Sequence, residues 1–125
     1  MKRARTKQVL ADACDTVKEL GLTLPDVEVA TRYDGSLVLK LGGAFMAGLA
    51  THPSAEPQTL VVRASFEERA WLLEDAPETY YVTDYYRALP VVLVRLSRID
   101  RDALRDVLSV SWRLTVPKGR KRRRP

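Results

Sequence analysis

With 125 residues, 46% of them hydrophobic and 30% charged, the chain has the size and composition of one domain built around one core. No apolar run approaches the roughly 18 residues that would span a bilayer, so no membrane partner is expected. One cysteine, Cys14, and one histidine, His52, exclude an internal disulfide and a zinc site made of several Cys and His ligands. The net charge of +5 sits at the ends. Lys2, Arg3, Arg5 and Lys7 open the chain and Lys118, Arg120, Lys121, Arg122, Arg123 and Arg124 close it, with no Asp or Glu among them; setting these ten aside leaves 11 bases against 16 acids, a net −5 for residues 8–117. Residues 1–117 are therefore expected to form the domain and 118–125 a basic, disordered tail. Asp12 and Asp15 break the apolar stretch that a secretory leader would need, so the chain reads as cytoplasmic.

Val9, Leu10, Ala13, Cys14, Val17 and Leu20 recur at helical spacing and Gly21 offers a stop, which predicts a first helix over 7–20 with Cys14 as a buried structural thiol. After Pro25, three strand-like runs near 28–33, 36–41 and 44–49 are separated by Asp34-Gly35 and Gly42-Gly43, dipeptides suited to hairpin turns. The loop Thr51 to Gln58 carries His52, read as a solvated loop residue, and Thr59 to Arg63 is a fourth strand. Ser65 and Glu68 have capping-box spacing at the head of a second helix that ends before Pro77, with Phe66, Ala70 and Leu73 towards the core. Thr79 to Thr83 and Val91 to Leu96 read as strands joined by the loop Asp84 to Pro90. In the last helix Asp100 is the cap, Leu104, Val107, Leu108, Ser111 and Thr115 share a face, and Pro117 is the end. Helix, four strands, helix, two strands, helix, without an alternating βαβ run, predicts an α+β fold: a two-layer sandwich with an antiparallel sheet of five or six strands and three helices mainly on one face.

Residues spread along the chain also carry a family resemblance. They are Leu24-Pro-Asp-Val-Glu28, Leu39-Lys-Leu-Gly-Gly43 leading to Phe45, Leu60-Val-Val-Arg63 before Phe66-Glu-Glu-Arg69, Tyr86-Arg87 with Pro90, Val92-Leu-Val-Arg-Leu96, and Ser111-Trp-Arg-Leu114 with Pro117. In order and spacing, over about residues 8–118, they resemble the MmcQ/YjbR family. The resemblance implies a compact two-layer α/β structure whose antiparallel sheet is like a double-wing DNA-binding domain, and hence association with DNA. Tyr85 stands where many relatives have a His, so chemistry resting on that side chain is not expected here. The basic tail lies outside the family pattern.

The residues themselves offer little for catalysis. His52 in a Pro-flanked loop has no Ser or Cys partner to activate, Gly42-Gly43 lacks the spacing of a phosphate loop, and no enzyme activity, cofactor or metal is expected. For non-specific DNA there are two candidate surfaces. One is the tail, Lys118, Arg120, Lys121, Arg122, Arg123 and Arg124, whose plainer reading is a solvated terminus. The other is the sheet face away from the helices, where Lys40, Arg63 and Arg95 come from three strands, with Arg87 nearby and Tyr33, Tyr80, Tyr81, Tyr85 and Tyr86 as stacking or polar groups. Its plainer reading is a polar face paired with acids. Alternation also puts Val91 and Leu93 beside Arg95, which would give an open sheet face apolar surface for self-association or a protein partner, the alternative to DNA. Arg98, Arg101 and Arg105 interleave with Asp102 and Asp106 and read as a salt-bridged solvated face.

Overall fold

A computed structural model describes residues 2–123, and the side chains of residues 11–117. Helix α1 (Lys2–Leu22) leads into strands β1 (Val27–Thr31), β2 (Leu37–Leu41), β3 (Ala44–Leu49) and β4 (Thr59–Arg63), then α2 (Phe66–Asp75), β5 (Tyr80–Tyr81), α3 (Asp84–Arg87), β6 (Val91–Arg95) and α4 (Arg101–Arg123). The six strands form one antiparallel sheet in the order β1-β2-β3-β4-β6-β5. This is the expected α+β sandwich, with one helix more than the sequence announces. Helix α3 falls inside the expected loop because four residues are too few to show a period, and its N-cap Thr83 makes no side-chain capping bond.

Between β2 and β3 the chain turns on Gly42 and Gly43, both at positive φ (59° and 82°), a backbone that these two residues adopt without penalty. The register then slips: Leu39 faces Ala47 but Lys40 faces Phe45, leaving Met46 as the extra residue of a β-bulge. The bulge puts both Met46 and Ala47 into the core and sends Phe45 to the opposite face. Asp100 caps as expected, while the capping box forms by half, since the Glu68 side chain makes no return bond to the Ser65 N–H among the described residues. Ser65 Oγ accepts the Glu68 N–H at 3.0 Å, and Asp100 Oδ1 accepts the Ala103 N–H at 2.8 Å. Ser65→Ala is expected to cost about 1 kcal/mol, checked by urea unfolding at unchanged m-value.

The main core lies between the sheet and α1, α2 and α4. Leu39, Met46, Leu60, Val62, Val92 and Val94 meet Val17, Leu20, Leu72, Leu104 and Leu108, all buried. Gly21 does not stop α1; it lets the helix touch the sheet, since a Cβ there would sit 2.8 Å from Leu39 Cδ1. In α2 the expected inward face is rotated: Phe66 and Ala70 are exposed, while Leu72 is buried and Leu73 half-buried. Apolar residues surround that short helix, so spacing alone does not fix which side packs. Helix α4 keeps the expected face and ties it to the bulge, Ser111 Oγ donating to Met46 O at 2.9 Å. Pro117 lies inside α4, which runs on to Arg123, rather than at its end. A proline removes one backbone donor and strains a single turn, which lowers helix stability without forbidding continuation. Cys14 is half-buried against the core, and that burial pushes its thiol pKa up, as suits a structural thiol.

Candidate nucleic-acid interface

Strand alternation decides what the other sheet face carries. Glu28, Lys40, Phe45, Val61, Arg63, Val91, Leu93 and Arg95 point away from the helices of the main core. That face is not open along β6. Val61, Val91 and Leu93 are buried in a second, smaller core with Tyr86 of α3, closed by Phe45, Ala50, Ala55, Tyr81 and Val82. The expectation that Val91 and Leu93 offer apolar surface to a partner is therefore corrected: α3 and the 50–58 loop occupy it. Tyr80 is corrected as well, since its ring turns into the main core, while Tyr33 stands fully exposed between β1 and β2.

The three strand bases have separate fates. Arg95 grips Glu56 with two hydrogen bonds of 2.9 and 2.7 Å, donates to Pro77 O and Glu78 O, and lies over the Tyr81 ring at 4.3 Å. Those bonds from Arg95 hold the Glu56 carboxyl below its ordinary value of 4.5, so this clamp is complete at neutral pH and is lost as pH falls through that lowered value. Lys40 is exposed and directly opposite Glu28. Arg87 is exposed and bonds Asp84 at 3.3 Å. The basic tail residues lie beyond the described side chains, and Arg124 beyond the described residues.

Arg63 is different. Its Nε donates to Phe45 O at 2.9 Å, its two Nη atoms have no protein acceptor among the described residues, and burial lowers its pKa. It lines a cleft of about 340 Å³ together with Arg32, His52, Tyr85 and Tyr86. Sequence reasoning misses Arg32. It reaches the cleft across Gly48, where a Cβ would lie 2.7 Å from Nη2, and is held by Nη1 bonds to Ser36 Oγ (3.0 Å) and Leu49 O (2.8 Å). No carboxylate lines the cleft. Each guanidinium is aimed by a backbone carbonyl and neither forms an ion pair among the described residues, although hydrogen bonds from Ser36 and then the charge of Arg32 lower the pKa of Asp34.

An aromatic platform stands at the rim. His52 and Tyr85 stack with centroids 3.5 Å apart and planes 14° from parallel, and Tyr86 meets Tyr85 edge-on at 4.9 Å. His52 is oriented by Ser54, whose N–H donates to Nδ1 at 3.0 Å, and its own backbone N–H donates to Tyr86 Oη at 3.4 Å. A ring in a loop thereby becomes part of a built surface, which no local pattern around His52 announces. The loop Asp84 to Pro90 is fixed from beneath by Arg69, which donates to Arg87 O, Leu89 O and Val91 O at 3.0 to 3.2 Å. Burial, and then the charge of the neighbouring Arg87, lowers the Arg69 pKa. Arg69→Ala is expected to loosen α3 and to cost about 2 kcal/mol by freeing three backbone carbonyls at once, read out by hydrogen exchange of the 84–90 amides. Compared with protein-family models, with curated proteins and with solved structures, this chain finds no match.

Proposed function

We propose that the protein is a small, non-catalytic DNA-associated module of the MmcQ/YjbR type that holds nucleic acid weakly through its phosphates. One observation carries the reading: Arg32 and Arg63 line a single cleft without a carboxylate, beside an exposed aromatic stack. Guanidinium forks bind phosphate oxygens through charge-assisted bonds, and an adjoining ring plane accepts an unpaired base without sequence preference. The interface so defined is narrower than the set Lys40, Arg63 and Arg95, because Arg95 is engaged with Glu56. Strand ends or unpaired segments fit such a cleft better than a smooth duplex. Fluorescence anisotropy with single-stranded and duplex oligonucleotides tests the reading. Single strands are expected to bind tighter, and Tyr85→Ala to weaken them about fivefold, equivalent to about 1 kcal/mol of stacking, while leaving duplex binding unchanged. Equal weakening of both forms would remove the base-stacking role.

A further inference from the structure

On the helix side of the sheet α2, α4 and the segment before α4 enclose a groove of about 420 Å³, within the range of roughly 300–1,000 Å³ usual for ligand pockets. Glu68, Asp75, Glu78, Asp100 and Asp106 line it, and none of them forms an ion pair among the described residues. Two basic residues, Arg63 and Arg98, accompany these five acids, which leaves the lining net acidic. At the base lies Tyr80, whose ring belongs to the main core. It is 6% exposed, it lines the groove, and its hydroxyl makes no hydrogen bond to the described residues. No buried side-chain polar atom among the described residues lacks a partner, so this hydroxyl is open to the groove rather than sealed, within reach of solvent or of a ligand. At the mouth Trp71 is 61% exposed, an indole face free for a cation. The walls between are apolar: Leu72, Ile99, Val107 and Val110.

We propose that this groove binds an organic cation, an ammonium or guanidinium group carried on an apolar stem. A bare metal ion is the poorer fit, because no three carboxylates among the described residues converge closely enough to hold one. The dispersed acids instead match a charge delivered along a chain: the stem lies on the apolar walls and Trp71, and the cationic head meets Asp75, Asp106 and the Tyr80 hydroxyl. The acids act on that hydroxyl already. Burial first, then Asp100, Asp106 and Asp75, raise the Tyr80 pKa, so it stays a neutral phenol at neutral pH, with its oxygen open to accept a bond from the cation. The groove and the arginine cleft meet at Arg63, which lines both, but the five acids belong to the groove alone and give it the opposite charge.

The experiment is calorimetric titration of the full chain with spermidine, with a peptide of the sequence of residues 118–125, and with magnesium chloride at matched ionic strength. Saturable binding of spermidine or of the peptide is expected, and whichever binds tighter tells whether the cation arrives as a free polyamine or on a basic segment. Asp75→Asn with Asp106→Asn, both exposed positions, should weaken it about tenfold, and Tyr80→Phe about threefold with an unchanged unfolding midpoint, while Asp15→Asn on α1 should bind as the parent does. Absence of saturation with both organic cations, magnesium binding as tight as theirs, or a double variant indistinguishable from the parent would overturn the proposal.

Discussion

Replacing Leu93 with Ala should lower the unfolding free energy by about 3 kcal/mol, the middle of the range of roughly 2–5 for deleting a buried aliphatic side chain. Leu93 lies on the sheet face turned away from the main core, where truncation of an uncovered strand residue would cost only about 0.5 kcal/mol. It is nevertheless fully buried, under Tyr86 and against Val61 and Val91. The size of the effect thus measures whether α3 and the 50–58 loop form a true second core. Urea unfolding at constant m-value is the readout, with Leu89→Ala as the control, since Leu89 is 46% exposed in the segment between α3 and β6. An effect for Leu93 no larger than for Leu89 would mean that the second face is open after all. The same variant should reduce binding in the arginine cleft, because Tyr86 supports both the small core and the His52 and Tyr85 stack.

That second core shows where a sequence stops being legible. Alternation along β6 correctly places Val91, Leu93 and Arg95 on one face, but alternation reports only that a face differs from its opposite, not what covers it. The cover comes from a four-residue helix and a Pro-flanked loop, and neither has a period to read. Local chemistry is the reliable part: Gly42-Gly43 makes its turn, Ser65 and Asp100 make their caps, and the antiparallel meander follows. Effects of tertiary packing are not readable. Gly21 has the look of a helix stop but serves close packing on Leu39, Met46 forms a bulge that no dipeptide marks, and α2 turns a different side inward. The candidate site divides in the same way. Arg63 can be found as a lone base in an apolar strand, whereas Arg32 reaches the cleft only because Gly48, on a strand distant in sequence, leaves room for it.

Neutralising the basic end should change DNA binding more than any single substitution, because its charge opposes that of the body. Replacing Lys118, Arg120, Lys121, Arg122, Arg123 and Arg124 with Gln keeps the chain length and removes six of the 21 basic residues. The dependence of log K on log salt is expected to flatten by up to about 0.9 for each phosphate no longer neutralised, and affinity to fall for all sequences alike, since a phosphate reports charge and not base identity. The remaining body, acidic overall, then depends on the cleft for whatever binding is left. Arg32→Gln with Arg63→Gln in the parent chain should weaken binding by at least about tenfold, the lower end of what charge-assisted bonds of about 1.5–3 kcal/mol supply in a partly solvated site. It should flatten the salt slope by no more than the share of two phosphates. Because both side chains bond backbone carbonyls, the unfolding midpoint of this variant must be compared as well, and Gln can keep one of those bonds in each case. Combining the two sets separates their roles. If the tail attracts and the cleft orients, the tail variant loses mainly salt dependence and the cleft variant mainly its preference for single strands. A cleft variant that binds as the parent does, with the tail variant silent, would leave DNA without a binding surface on this protein.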